Sequence, residues 1–319
     1  MKILTGKRAL LTGAASGIGR ALALELASRG THLFLVDKNE SGLGTLRAEI
    51  QERAAVEVHC CVCDLTSADE ITQSNAHILE TWGSLDILIN NAGVLYYGNT
   101  AEMSIAQWNR ILAVNLHAPI QFTREWLPVL GRQSEAHLLN VASFFALVPY
   151  AKICAYQTSK FGLLGFTQSL RAELRRTSIG VTAICPGFVS TPLYETAEYG
   201  DGRLRQPPHW LCTSADYVAR KAIKAIARNK RLTLVTPLAH LAHWVQRLTP
   251  GVIDALYRIG RTRRTERPQL AISWHGKMDE DRQSNRQHQP EKIPRAPIPT
   301  EHVSDTSGAV RASNVRRAA

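Results

Sequence analysis

A serine, a tyrosine and a lysine stand close together near the middle of the chain. Ser143 ends an apolar run from Leu138 to Ala142, Tyr156 follows 13 positions later, and Lys160 comes four after that. The apolar spacing after Tyr156 predicts a helix that reaches about residue 176. Residues four apart lie on one helical face, so the phenol and the ammonium are expected to point the same way.

These side chains could together move a proton. A free tyrosine titrates near 10, and a neighbouring ammonium is expected to bring its pKa toward neutral pH. A serine hydroxyl beside it could hold a carbonyl or alcohol oxygen while the proton moves. The alternative is that Tyr156 and Lys160 are an ordinary surface pair on a helix. That interpretation is preferred unless the chain also supplies a cofactor site and an aligned serine.

A glycine-rich turn near the start of the chain is the first sign of such a cofactor site. A predicted strand over 8–12 runs into GAASGIG, with Gly13, Ser16, Gly17, Ile18 and Gly19, and then into a predicted helix over 20–29. Glycines between a strand and a helix let the backbone approach a phosphate, and the helix N-terminus offers free N–H groups.

Two carboxylates follow later predicted strands. Asp37 ends the second strand about 20 residues after the glycines, where a carboxylate can bind ribose hydroxyls, although a strand-ending Asp in a plain turn is the alternative. Asp64 and Leu65 follow the third strand, where an adenine ring is expected to lie.

Small and polar residues follow the remaining predicted strands as well. Asn91, Ala92 and Gly93 come after a fourth strand and suit a backbone close to a ligand. Asn115 lies inside a long helical segment over 104–130, where the nearby Pro119 predicts a local break in the helix. Pro186 and Gly187 end a sixth strand.

This alternation of strands and helices predicts an α/β fold with one doubly wound parallel sheet. Ligands bind such sheets at the carboxyl ends of the strands, which is where the residues singled out above are expected to meet.

Composition is that of a globular protein, with 45% hydrophobic and 20% charged residues. Cys60, Cys61 and Cys63 cluster at the end of an apolar run, where buried reduced thiols are expected. No histidine stands at zinc-ligand spacing from the six cysteines, so no metal site, no disulfides and a reducing, cytoplasmic compartment are expected. There is no signal peptide and no apolar run of about 18 residues, so no membrane-spanning helix is expected.

The end of the chain differs in composition from the rest. Residues 188–212, rich in Pro, Gly and aromatics, predict a mobile loop that could close over a substrate. A helix over 215–228 and a strand over 232–235 are expected to complete a domain over 1–236. A basic amphipathic helical extension is expected over 237–264, and a disordered tail over 265–319.

With these motifs in place, the sequence resembles the classical short-chain dehydrogenase/reductase family over about residues 5–236. The resemblance rests on TGAASGIG at 12–19, NNAG at 90–93, the Tyr156-x-x-x-Lys160 pair and PGFVSTP at 186–192, together with Asp64, Asn115 and Ser143. The chain departs from the family's pattern only after residue 236, where members usually end within a few tens of residues.

The resemblance implies a role for each site residue. Tyr156 would be the general acid/base, Ser143 would orient the substrate oxygen, and Lys160 would lower the pKa of Tyr156 and hold the nicotinamide ribose. Asn115 would position a water that links Lys160 to solvent. The nicotinamide would be lined by Pro186, Gly187, Val189 and Thr191.

The resemblance also implies a Rossmann-type sheet with strand order 3-2-1-4-5-6-7 and a homodimer or homotetramer formed through the helices at 104–130 and 156–176. The expected activity interconverts a secondary alcohol and a ketone with NAD(P). Because Asp37 would repel the 2′-phosphate of NADP, NAD is the expected cofactor, although the positive charge of Lys38 could partly offset this repulsion.

Two other function classes compete with this interpretation. A dinucleotide-binding sensor or scaffold would not need Asn115, Ser143, Tyr156 and Lys160 together. A nucleic-acid binder is suggested only by the basic segment at 220–267, with 12 Lys and Arg against 2 Asp and Glu, and that segment lacks interleaved aromatics on a recognisable binding fold.

Aromatic and aliphatic residues around the predicted site favour a small lipophilic substrate, unless some of them belong to the core. They are Leu95, Tyr96, Phe144, Phe145, Tyr150 and Phe188.

The extension could place the protein at a membrane surface. Leu238, Leu241, Val245 and Leu248 fall on one helical face with Trp244 beside them, and arginines are frequent over 247–267. This composition is typical of a helix in a membrane interface. The alternative is that the apolar stripe packs on the domain or on a partner subunit.

Overall fold

A seven-stranded parallel sheet forms the centre of the molecule. The computed structural model describes residues 1–200, 208–249, 251, 252 and 255. In chain order the strands are β1 (Arg8–Thr12), β2 (His32–Asp37), β3 (Val58–Val62), β4 (Ile87–Asn90), β5 (Tyr96–Tyr97), β6 (Ala136–Val141), β7 (Ile179–Cys185), β8 (Glu198–Tyr199) and β9 (Leu232–Leu234). The large sheet has the order β3-β2-β1-β4-β6-β7-β9. This is the predicted order once the two-residue strands β5 and β8, which pair with each other, are left out of the numbering.

Helices cover both faces of this sheet. They are α1 (Gly17–Ala27), α2 (Glu40–Arg53), α3 (Ala68–Trp82), α4 (Ile105–Leu112), α5 (Ala118–Leu130), α6 (Cys154–Glu173), α7 (Ala215–Ala227) and α8 (Pro237–Leu248). Alternate residues of a strand point to opposite faces. Accordingly, Leu33 and Leu35 of β2 pack with α1, α2 and α7, whereas Phe34 and Val36 pack with α3, α5 and α6. The buried, two-sided sheet explains the near-continuous apolar runs of its strands.

The predicted break near Asn115 is confirmed. Helix α4 begins with a capping box between Ser104 and Gln107, and residues Ala113–His117 form a π-helical turn before α5 begins at Ala118. The wider π-helical turn shifts the Asn115 side chain from the position it would have in a regular α-helix. Pro119, in the first turn of α5, has no N–H to donate to a backbone hydrogen bond.

The segment expected to be a loop over 188–212 is partly regular where it is described. Residues Pro192–Tyr194 form a 3₁₀ turn, and β8 pairs in parallel with β5. An ion pair between Arg110 of α4 and Glu198 of β8 adds to this pairing. Strands of two residues carry no periodic signal, so the sequence predicted only an irregular loop here.

Helix α8 turns an apolar face outward. Leu238, Leu241, Trp244 and Leu248 are 45%, 63%, 52% and 71% exposed, whereas Ala239 on the other side of the helix is buried. The alternative that this stripe packs on its own domain is therefore wrong for Leu238, Leu241 and Leu248, whereas Val245, the other residue of the predicted stripe, is half-buried. The rest of the predicted extension is described only at 249, 251, 252 and 255, and the predicted tail 265–319 lies outside the described residues.

Membrane-spanning helices and metal-binding clusters are both absent from the described residues. No helix in them is long and apolar enough to cross a membrane. No group of three or more His, Cys, Asp or Glu side chains in the same ranges is placed to hold a metal ion.

Candidate active site

One cavity of about 370 Å³ lies along the carboxyl ends of the strands. It brings together nearly all of the residues predicted for the site, from parts of the chain as distant as 13 and 191. The predicted residues that line it are Gly13, Ser16, Gly17, Ile18, Asp37, Asp64, Leu65, Asn91, Ala92, Gly93, Ser143, Tyr156, Lys160, Pro186, Gly187, Val189 and Thr191. Gly19 and Asn115 are the two predicted site residues that do not line the cavity.

The glycine-rich turn is packed so tightly that side chains are excluded. A Cβ atom on Gly13, whose φ is +66°, would lie 2.6 Å from the Cα atom of Ala92. A Cβ atom on Gly19 would lie 1.9 Å from the carbonyl oxygen of Gly13. Gly19 thus allows α1 to fold directly behind the turn, which explains its absence from the cavity wall. The bare backbone and the start of α1 form a cradle that suits a pyrophosphate.

The segment Asn91–Gly93 is fastened to that turn. The Asn91 side chain donates to the carbonyl oxygens of Thr12 and Gly13, both at 3.0 Å, and the Thr12 hydroxyl accepts from the Asn91 backbone N–H at 3.1 Å. Asn91 therefore stabilises the shape of the glycine turn as well as lining the cavity.

Both oxygens of the Asp37 carboxylate accept backbone hydrogen bonds. The N–H of Ala15 donates to one and the N–H of Asn39 to the other, each at 3.0 Å. The same carboxylate therefore stabilises the turn after β2 and the glycine loop and also lines the cavity. A structural role for Asp37 in the turn is thus compatible with a role in binding a cofactor. Lys38, exposed beside it, lines the cavity too.

The Asp64 side chain is held in a turn of its own. The backbone N–H and the hydroxyl of Thr66 donate to one of its oxygens, both at 2.9 Å. These bonds, the backbone one foremost, lower the pKa of Asp64, and the charges of Lys38 and Arg110 act in the same direction. Arg110 itself lines the cavity, which the sequence did not indicate.

Tyr156 lies buried in the wall of the cavity. It is 7% exposed, and Ser143, which acts to lower the pKa of the phenol, lines the same cavity. The Ser143 hydroxyl also accepts from the backbone N–H of Phe145 at 3.1 Å, which orients it at the end of β6. The aligned serine that the sequence required is therefore present.

Lys160 is also buried, and its charge is poorly solvated. Its Nζ atom donates to the carbonyl oxygen of Val141 at 3.0 Å and lies 5.8 Å from the centroid of the Tyr156 ring. Burial lowers the pKa of Lys160 to about 8. A net lowering of the pKa of Tyr156 is not found in this structure, because burial dominates and raises the pKa of the phenol.

Asn115 lies behind these residues rather than on the cavity wall. Its fully buried amide accepts from the Val94 N–H at 2.8 Å and donates to the Val94 carbonyl at 2.9 Å and to the Ser159 hydroxyl at 3.0 Å. It therefore ties Val94, which directly follows the Asn91–Gly93 segment, to Ser159 of α6. A Cβ atom on Gly93 would lie 3.3 Å from the Lys160 Nζ atom and 3.5 Å from the Asn115 Oδ1 atom, so these groups are close neighbours.

The segment after β7 closes the remaining side. A Cβ atom on Gly17 would lie 3.1 Å from the Thr191 side chain, so the glycine turn and this last segment are close neighbours. Val189 pairs with Thr213, and the adjoining Ser190 N–H donates to the Thr213 carbonyl at 3.0 Å. These contacts hold Pro186–Thr191 in place.

The apolar end of the cavity was predicted less well. Leu95, Phe145, Tyr150 and Phe188 line it as expected, and Leu193 and Tyr194 line it from the segment predicted to close over a substrate. Ile153 also lines it, and the sequence did not single it out. Tyr96 and Phe144 do not line it. Tyr96 is 3% exposed and packs in a small core cluster with Ile111 and Ala155, so the core alternative is correct there.

Comparison with known proteins agrees with this geometry. The family model described as short chain dehydrogenase matches residues 7–200. A putative ketoacyl reductase from Streptomyces coelicolor is 38% identical over 187 residues, which are 58% of this chain and 71% of the relative.

Two solved structures are similar as well. A short-chain dehydrogenase/reductase from Burkholderia phymatum, in complex with NAD, has a TM-score of 0.71 and 26% identity, covering 79% of this chain and 96% of that one. A variant of actinorhodin polyketide ketoreductase, with NADPH, has a TM-score of 0.66 and 30% identity, covering 76% of this chain and 99% of that one.

The fold and the site define a dinucleotide-dependent oxidoreductase that acts on CH–OH groups with NAD(P). Within that class, the chain belongs to the short-chain dehydrogenase/reductase family.

Proposed function

We propose that this protein interconverts a secondary alcohol and a ketone on a small lipophilic substrate, with Tyr156 as the general acid/base. The observation that carries the proposal is that the buried Tyr156 and the nearby Ser143 line the same cavity as the glycine turn at Gly13 and Gly17. A substrate oxygen between these hydroxyls receives a proton from one and a hydrogen bond from the other. Because burial raises the pKa of Tyr156, the phenol is protonated at neutral pH, the form that protonates a ketone oxygen.

Residues of the other end of the cavity hold the cofactor. The cradle at Gly13 and Gly17 takes the pyrophosphate, Asp37 takes the adenosine ribose, and Asp64 with Leu65 flanks the adenine. Lys160 holds the nicotinamide ribose, Pro186–Thr191 lines the nicotinamide, and Asn115 positions the proton relay behind Lys160. The bound cofactor supplies or accepts the hydride. Asp37 faces the position of a 2′-phosphate, which supports NAD over NADP.

A turnover screen of lipophilic alcohols and ketones, followed by nicotinamide absorbance with each cofactor, tests this proposal. We expect turnover of at least one secondary alcohol–ketone pair. If NAD(H) binds, as measured by NADH fluorescence, but no substrate of the series is turned over, the sensor or scaffold function replaces the enzymatic one.

We propose that the protein is a homodimer or homotetramer formed through α4, α5 and α6. Ile105 on α4 and Phe161 on α6 are 63% and 47% exposed, which leaves apolar surface for a second copy to cover. Sedimentation of the protein and of Phe161→Glu tests this. A monomeric wild-type protein would contradict it.

We also propose that the protein acts in a reducing, cytoplasmic compartment, peripheral to a membrane, with residues 1–236 as the catalytic domain and 237–264 as the membrane-binding extension. No disulfide joins the six cysteines, all of which lie in the described residues. The outward face of α8 supplies apolar anchors and the segment 220–267 supplies excess positive charge.

Sedimentation with anionic and with neutral vesicles tests the membrane proposal. Leu241→Asp is expected to reduce binding to anionic vesicles at low salt, whereas Leu79→Asp, an exposed leucine on α3, is expected to leave it unchanged. Equal binding of the wild-type protein and Leu241→Asp would show that α8 is not the anchor.

A further inference from the structure

A second cavity, of about 190 Å³, adjoins the first. It lies between the segment after β7, the turn before α7 and the first turn of α8. Its lining residues are Phe144, Gly187, Phe188, Trp210, Leu211, Cys212, Thr213, Thr236, Pro237, Leu238 and Ala239.

An aromatic wall separates the two cavities. Phe188 lines both, Phe145 lines only the first, and Phe144 lines only the second. The Phe145 ring centroid lies 5.7 Å from that of Phe188 and 5.5 Å from that of Phe144. Gly187 and Phe188 therefore form the part of the wall that the catalytic cavity and the second cavity share.

The backbone on both sides of this wall is held by hydrogen bonds. The Thr213 N–H donates to the Phe188 carbonyl at 2.9 Å, and the Ser190 N–H donates to the Thr213 carbonyl at 3.0 Å. The Thr236 hydroxyl is engaged as well, since it accepts from the Ala239 N–H at the start of α8 at 3.3 Å. The main chain of this wall is therefore fixed, and a molecule that reaches both cavities has to pass the Phe188 side chain.

The second cavity suits a hydrocarbon. None of the described residues that line it carries a formal charge, and its outer rim consists of Trp210 and Leu238, which are 83% and 45% exposed. Covering such apolar surface is favourable. An apolar cavity of about 150 Å³ can hold benzene, so there is room here for about six carbon atoms.

We propose that the second cavity binds the apolar tail of the substrate whose carbonyl group lies between Ser143 and Tyr156. The substrate is then a ketone or secondary alcohol with an unbranched hydrocarbon chain long enough to pass Phe188. This inference rests on the proposed oxidoreductase function and adds the substrate class to it.

A homologous series of straight-chain 2-ketones tests the proposal, with kcat/KM measured in the absence of vesicles. For the wild-type protein we expect kcat/KM to rise about fourfold for each methylene that enters the second cavity. Leu238→Asp places a charge in the cavity rim and is expected to abolish this rise while leaving the short ketones unchanged. Trp210→Ser, on a different segment, is expected to reduce the rise in the same way.

Leu79→Asp is the matched control, because Leu79 is 43% exposed, similar to Leu238, and lies on α3 away from both cavities. Its chain-length profile is expected to equal that of the wild-type protein. The inference is overturned if short ketones are turned over and kcat/KM does not rise with chain length. It is also overturned if Leu238→Asp and Trp210→Ser keep the wild-type profile. If no ketone of any length is turned over, the proposed function fails first and the inference fails with it.

Discussion

The two ends of the catalytic cavity are held in different ways. At the cofactor end, the wall is backbone fixed by hydrogen bonds, such as those from Asn91 to the glycine turn and from Ala15 to Asp37. At the substrate end, the wall is made of side chains such as Phe145, Tyr150 and Phe188, which meet only through ring contacts. A wall of backbone permits little variation in its ligand, whereas a wall of rings can repack around different substrates.

The sharpest test of this comparison is Tyr156→Phe, because Tyr156 stands where the two ends meet. Loss of the proton donor is expected to lower kcat by at least about 10²-fold. Because the cofactor end does not depend on the hydroxyl, the affinity for NADH is expected to stay within about twofold, measured by fluorescence titration. A near-normal kcat would remove Tyr156 from the role of acid/base.

Gly19→Ala tests the claim that the cofactor end is fixed by close backbone packing. The new Cβ atom would lie 1.9 Å from the Gly13 carbonyl oxygen, so the turn must shift. We expect a loss of about 2 kcal/mol in the free energy of unfolding, and weaker binding of NADH.

Gly44→Ala is the control for that change. Gly44 lies inside α2, and a Cβ atom added to it would meet no atom within 4 Å, so alanine is expected to stabilise the protein by about 0.5 kcal/mol. Urea unfolding of both variants gives the comparison. Equal effects of the two substitutions would mean that the glycine turn tolerates a side chain.

The same difference explains what the sequence could predict. Glycine spacing and strand-end Asn and Asp report local backbone geometry, so the residues of the cofactor end were identified together with the parallel sheet. The π-helical turn at Asn115 was also signalled locally, by the nearby Pro119. These features depend on neighbours in the chain.

The substrate end depends on contacts that are distant in sequence. Arg110 and Glu198 are 88 residues apart, and no local pattern relates them. Tyr96 and Phe144 were expected in the cavity because they lie near the site in the sequence. The local sequence does not show whether such an aromatic side chain packs into the core or faces the ligand. The depth of Tyr156, which reverses the expected direction of its pKa change, is likewise a product of the whole fold.

Asp37→Asn tests whether the fixed cofactor end also selects the cofactor. In the wild-type protein we expect NADH to bind at least about tenfold more tightly than NADPH, because Asp37 repels a 2′-phosphate. The asparagine variant loses the charge but keeps an acceptor oxygen for the loop, so its preference is expected to fall to about twofold. Tighter binding of NADPH to the wild-type protein would show that Lys38 outweighs Asp37.

The smallest expected effect concerns Lys160, whose charge is buried where the two ends of the cavity meet. Its pKa is lowered from 10.5 to about 8, a difference that corresponds to about 3 kcal/mol against the protonated folded state. Lys160→Met removes this penalty but leaves the Val141 carbonyl without its donor, which costs about 2 kcal/mol. At pH 7 we therefore expect the variant, although inactive, to be more stable by about 1 kcal/mol.

The pH dependence of that gain identifies its source. Between about pH 8 and 10.5 the unfolded chain holds a proton on Lys160 that the folded protein has lost, so the wild-type protein gains stability as the pH rises through this window. The methionine variant has no such group. Its advantage is therefore expected to be constant below about pH 8 and to disappear, and then reverse, as the pH approaches 10.5. Urea unfolding of both proteins at a series of pH values measures this difference, and a gain that did not change with pH would mean that packing, rather than the buried charge, separates them.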